Sequence, residues 1–121
     1  MRFAIAIGAA LVVGSFPALA DGDPVAGKTA FTKCMACHSP KEGENKIGPS
    51  LFGIVGRASH SIANFTYSDP MKAYDVTWDE GTLDVYLVDP RKTVPGTRMI
   101  FPGIKNETER KNLIAYLETL K

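Results

Sequence analysis

Hydrophobic positions along the chain form one unbroken run at the N-terminus, three amphipathic stretches, and a long middle segment with no period. The first run, Phe3 to Phe16, contains no charge. Asp23-Pro24 reads as a helix start, with Asp23 as N-cap and Pro24 in the first turn, and the helix should continue through Gly27, Ala30 and Phe31. Residues 39–76 hold Gly43, Gly48-Pro49, Gly53, Gly56 and Asp69-Pro70 and are expected to be mostly loop, with a helical turn near Leu51 to Val55 or Pro70 to Tyr74. Thr77-Trp78-Asp79-Glu80 fits a capping box, opening a helix with Leu83, Tyr86 and Leu87 on one face. Asp89-Pro90 closes that helix and can open a short turn ended by Pro95-Gly96. Asn106 to Glu109 caps a last helix, on which Leu113, Ile114, Leu117 and Leu120 repeat at helical spacing. Without convincing strands or repeats, the pattern predicts an all-α fold of short helices and long loops.

The N-terminal run is shorter than the roughly twenty apolar residues of a membrane span before Pro17 interrupts it. Arg2 supplies a positive start, and Pro17-Ala18-Leu19-Ala20 ends in the small-x-small pattern of a signal-peptidase site. Residues 1–20 are therefore expected to be a cleavable signal peptide and residues 21–121 one exported, periplasmic domain, with no stable membrane insertion after cleavage. Cleavage removes Arg2 alone among the charges and leaves thirteen basic and thirteen acidic residues, which argues against nucleic-acid binding driven by net charge. A domain this small has a thin core and benefits from a staple. A structureless segment as long as 39–76 also needs something to wrap.

Both needs meet in Cys34-Met35-Ala36-Cys37-His38, which contains the only two cysteines of the chain. Cys-x-x-Cys-His is the pattern of covalent c-type haem attachment. Two intervening residues let one helical turn present both sulfurs to one porphyrin edge as thioethers, and the adjoining His38 can swing under the iron. Three other chemistries compete for the same residues. A thioredoxin-like thiol pair needs a βαβ context that is absent here. A zinc site would have to recruit the distant His60 to Cys34, Cys37 and His38, with adjacent Cys37 and His38 on one metal. A disulfide closing so small a loop would add little stability.

With His38 in one axial position, the candidates for the other are His60, Met35, Met71 and Met99. Met35 lies inside the attachment loop and cannot reach the opposite face. His60 follows Ser59 in a polar loop and is expected at the surface. Met99 lies in Pro95-Gly96-Thr97-Arg98-Met99-Ile100-Phe101, an irregular loop with apolar flanks that can press a thioether onto a buried iron.

Taken with Gly48-Pro49-Ser50-Leu51-Phe52-Gly53, Phe65-Thr66-Tyr67-Ser68-Asp69, Thr77-Trp78 and Leu113-Ile114-Ala115-Tyr116-Leu117, these blocks and their spacing resemble the class I cytochromes c, within them the mitochondrial cytochrome c and bacterial cytochrome c2 group. The resemblance spans nearly the whole of residues 21–121. It implies one haem c attached through Cys34 and Cys37, with His38 and Met99 as axial ligands. It further implies that the Pro49 carbonyl accepts the His38 Nδ1 hydrogen, that Arg57, Tyr67 and Trp78 hold a buried propionate, and that Tyr86 donates to the Met99 sulfur. Gly27, Phe31, Leu113 and Tyr116 match a crossing of the terminal helices. Met71 departs from the pattern, standing where mitochondrial members usually carry a buried Asn beside an internal water.

Closed His/Met coordination leaves no open position for substrate, so the expected function is that of a monomeric electron carrier and not an enzyme. Its partners are expected to be redox complexes docked transiently at the haem edge, a cytochrome bc1-type complex or dehydrogenase giving electrons and an oxidase or reaction centre accepting them. In the resembling family Lys33, Lys46, Arg91, Lys92, Arg98 and Lys105 match positions that ring this edge, with Asp21, Asp23, Glu107, Glu109 and Glu118 expected elsewhere. The alternative is a haem peroxidase-like enzyme in which Met99 is displaced; a zinc-binding interaction module is a third.

Overall fold

The structure, a computed structural model, describes Gly8 and residues 22–121; the expected signal peptide and Asp21 otherwise lie outside the described residues. The helices are α1 Pro24–Ala30, α2 Asp69–Ala73, α3 Glu80–Val88, α4 Pro90–Thr93 and α5 Glu107–Glu118, with a 3-10 turn, Phe31–Lys33, continuing α1 into the cysteines. Each helix begins on a side-chain cap. Asp23 accepts from the Val25 amide, Ser68 from Met71, Asp79 from Thr82, Asp89 from Lys92 and Asn106 from Glu109, which satisfies amides that the first turn leaves without partners.

Of the two turns allowed in the middle segment, only the one near Pro70 becomes a helix. Around Leu51 the chain instead makes turns through Gly53 (φ +68°), whose amide donates to the Leu120 carbonyl at 2.6 Å. The capping box expected at Thr77 and Glu80 forms two residues later. Asp79 Oδ1 accepts from the Thr82 amide at 2.8 Å, and Thr82 Oγ1 accepts from the Asp79 amide at 2.9 Å. Thr77 is unavailable because it pairs with Ala58 in an isolated antiparallel bridge, and the Trp78 amide donates to the Arg57 carbonyl at 2.8 Å. A backbone held extended there cannot begin a helix.

The core sits where α1 crosses α5. Phe31, Leu113 and Ile114 are buried, and the Phe31 and Tyr116 rings meet at 5.1 Å. A β-carbon on Gly27 would lie 1.8 Å from the Asn112 carbonyl oxygen, so the helices approach this closely only because that side chain is missing. Helix α3 turns Leu83, Tyr86 and Leu87 inward, as its spacing predicts. Among the described residues no helix is long and apolar enough to cross a membrane.

Candidate functional site

The long loops do not fill the interior. They wrap a cavity of about 440 Å³ whose wall includes Cys34, Cys37 and His38 from the turn after α1, and Met99 from the loop after α4. Further wall comes from Met71, Trp78, Leu83, Tyr86, Leu113 and Leu117. The four residues expected to carry the chemistry, 65 positions apart at the extremes, thus share one mostly apolar chamber.

His38 is oriented from behind. Its Nδ1 lies 2.7 Å from the Pro49 carbonyl oxygen, and because a carbonyl only accepts, the hydrogen is on Nδ1 and the Nε2 lone pair is free to ligate. Burial pulls the imidazole pKa below its ordinary value. The Pro49 bond opposes that shift, and the nearby Arg57 and Lys46 charges add to it, so the ring stays neutral. Gly48 packs against the same ring, where a β-carbon would fall 2.3 Å from Cε1 and 2.7 Å from Nδ1. That role was missed in the sequence, although a glycine directly before the carbonyl-bearing proline was its signal.

Met99 is held by its sulfur. The Tyr86 hydroxyl donates to Sδ at 3.2 Å. Burial pushes this phenol up to about 12, with Thr97 partly offsetting it, so it remains protonated and a donor at physiological pH. Tyr86 in turn packs on Trp78 at 4.9 Å and on Tyr74 at 6.4 Å. The two cysteines are not joined to each other. Burial pushes the Cys34 thiol up to about 11, against the opposing charge of Lys33, which suits neither an exchange-active thiolate nor a redox pair.

His60 lies outside the cavity wall and pairs with Asp75 at 3.0 Å on the surface. Among the described residues no group of three or more His, Cys, Asp or Glu side chains is placed to hold a metal, so the zinc arrangement is not assembled. Met35, half exposed, is likewise absent from the wall.

The residues present fit a haem. Arg57 is partly buried and lines the chamber; its Nη1 donates to the Phe52 carbonyl at 3.0 Å, while Nε is buried without a partner. A buried guanidinium with an unmet donor is a complement for a carboxylate. Burial lowers its pKa, with Tyr67 opposing. Tyr67 closes the same side, accepting the Ile62 amide at 3.1 Å.

The mouth of the chamber is rimmed by Ile47 and Ile100, which are 80% and 86% exposed, together with Lys33 and Arg98. The expected separation of charge fails at one point. Glu109 does not lie elsewhere: it forms an ion pair and hydrogen bond with Lys33, because the start of α5 passes beside the end of α1. Lys46 donates to the Met35 carbonyl at 2.5 Å, Arg98 to the Thr66 carbonyl at 2.8 Å, and Lys105 approaches Asp89 at 3.7 Å.

The cytochrome c family model matches residues 24–121. Among proteins of known identity, the chain is 44% identical over 114 residues to cytochrome c-554 of Methylosinus trichosporium, covering 93% of this chain and 86% of that protein. It is 50% identical over 91 residues to cytochrome c2 iso-2 of Magnetospirillum molischianum, covering 75% and 94%. Among solved structures, cytochrome cH from Methylobacterium extorquens superposes with a TM-score of 0.75 at 43% identity, covering 81% of this chain and 99% of that one. A family that carries one covalent haem c and works in electron transport accounts for a chamber of this size and lining, and the chain belongs to it: this is a class I cytochrome c of the cytochrome c2 group.

Proposed function

We propose that this electron-transfer cytochrome works in the periplasm as a single-electron shuttle with closed His38/Met99 coordination, its haem tethered through Cys34 and Cys37. The observation that carries the reading is the pair of supports on opposite ligands: Pro49 fixes His38 with Nε2 free, and Tyr86 fixes the Met99 sulfur. When bound, the haem iron supplies a one-electron couple without an open coordination position. The chain's residues do the rest. Cys34 and Cys37 bond the haem edge, Arg57 and Tyr67 meet a propionate, and Met71, Leu83, Leu113 and Leu117 exclude water. An apolar surround and a thioether ligand favour the reduced state and raise the potential. Because both ligands are braced, little has to move on electron transfer. The exposed Ile47 and Ile100, flanked by Lys33 and Arg98, form the rim at which a donor such as a bc1-type complex or dehydrogenase, or an accepting oxidase or reaction centre, docks transiently.

The test is the optical spectrum of the exported protein in both oxidation states. A weak far-red band from methionine sulfur bound to ferric iron, lost in Met99→Ala, is the expected result. Its absence at neutral pH would mean that Met99 is not bound and would favour the peroxidase-like reading.

A further inference from the structure

We infer that Arg110 and Asp84, which touch neither haem ligand, are positioning residues that hold Met99 on the iron by clamping the exit of its loop; the inference rests on the Met99 ligation proposed above. Arg110 lies on α5 with its side chain only 9% exposed, and its Nε donates to Asp84 Oδ1 on α3 at 2.6 Å. Its Nη1 donates to the carbonyls of Ile104 at 3.0 Å and Lys105 at 3.4 Å. One guanidinium therefore joins α3, α5 and the segment that leads away from Met99.

The same segment is pressed onto the end of α3. The Ile104 amide donates to the Leu87 carbonyl at 2.7 Å, and Lys105 Nζ donates to the Val88 carbonyl at 2.5 Å. Gly103 lies so flat against α3 (φ +94°) that a β-carbon would fall 2.1 Å from the Val88 carbonyl oxygen. Between these anchors and Met99 the chain has little else. Among the described residues, 100–103 make no backbone hydrogen bond, and Ile100 is exposed. A loop held at its ends opens when an end is released. At the entry, Arg98 holds Thr66 and Gly96 abuts Pro70; at the exit, the buried cation has the most bonds to lose. Without Asp84 the guanidinium loses the counter-charge it pairs with and turns toward water, and the two carbonyls are released with it. Tyr86 sits two residues after Asp84, so the helix that carries half of the clamp also carries the donor to the Met99 sulfur.

The readout is imidazole binding to the ferric holoprotein at neutral pH, followed at the far-red band. Imidazole binds only where Met99 has left, so its apparent affinity rises in proportion to the Met-off fraction. Asp84→Asn and Arg110→Lys should tighten apparent imidazole binding about tenfold, and Asp84→Glu, which keeps the carboxylate, should stay near the wild-type value. Asp23→Ala, which removes the α1 cap far from the loop, is the control for general destabilisation and should leave it unchanged. If Arg110→Lys does not fold, the two Asp84 variants decide. Unchanged affinity in Asp84→Asn, or an equal gain in Asp23→Ala at matched loss of denaturation midpoint, overturns the clamp. A wild-type protein with no far-red band overturns the Met99 ligation instead.

Discussion

At the level of single residues, position 71 is where this chain parts from the pattern it otherwise follows. Met71 lines the cavity and packs against the core from α2, presenting a thioether and methylenes where an amide would hold water. A drier wall disfavours the hydroxide or amine ligands that compete for iron at high pH and leaves the sulfur, a soft and weakly hydrated ligand, comparatively stable. Met71→Asn should therefore lower the pH at which the far-red band is lost, by on the order of one unit, equivalent to about 1.4 kcal/mol. A midpoint unchanged by the substitution would show that Met71 does not govern the water content of the pocket. Much at this scale was legible in the sequence. Local chemistry gave the Cys34 to His38 motif and made Met99 one candidate ligand, and the resemblance to class I cytochromes c implied the roles of Pro49, Tyr86 and Met99. Gly48 and Arg110 were not read. The first works by a side chain it lacks, and the second lies on the apolar stripe of Leu113, Ile114 and Leu117, one turn earlier, where a charge passes for ordinary surface until its partner 26 positions away is known.

At the level of elements, end signals placed the helices well because capping is a local bargain between neighbouring residues. The exception was α3, where a long-range bridge from Thr77 to Ala58 overrode the nearest capping pattern and moved the start to Asp79. That cap has a pH signature. The Thr82 amide and hydroxyl hold the Asp79 carboxylate below its usual pKa. A depressed folded-state value contributes stability that is present above the unfolded value of about 3.9 and is lost as pH falls through the folded one. Asp79→Asn keeps an oxygen for the Thr82 amide but does not titrate there. The thermal midpoint of wild type relative to Asp79→Asn should thus decline below about pH 4 and be flat above it; a pH-independent difference would assign the cap's value to geometry alone. The α1–α5 crossing gives a larger effect. Gly27→Ala forces a β-carbon onto the Asn112 carbonyl, which neither helix can yield without parting, so the loss in denaturant unfolding should reach the upper end of about 1–3 kcal/mol. A variant as stable as wild type would mean the helices slide freely, contrary to the packing of Phe31 on Tyr116.

For the whole molecule, the decisive property is where charge lies relative to the chamber mouth, since the formal net charge is only +1. A nearly neutral protein steers a partner through the local field of its docking face. Lys33 and Arg98 give the chamber mouth positive sign, but Glu109 withdraws part of it at Lys33, a contact hidden in the sequence because it depends on how the ends of α1 and α5 meet. Exposed pairs of this kind add little stability, so its removal should act on encounter and not on folding. Electron transfer to ferricyanide, an anion, should slow with rising salt, whereas transfer to a cationic cobalt complex should quicken, because screening weakens attraction in one case and repulsion in the other. Glu109→Gln leaves Lys33 uncompensated and should steepen both slopes, with wild-type and variant rates converging at high salt and the unfolding midpoint unmoved. Identical slopes for the two oxidants would place the point of electron transfer away from Lys33 and Arg98. Slopes of the expected sign that Glu109→Gln leaves unchanged would mean that Arg98, Lys46 and the α4 cations set the field, with the Lys33 pair electrically silent.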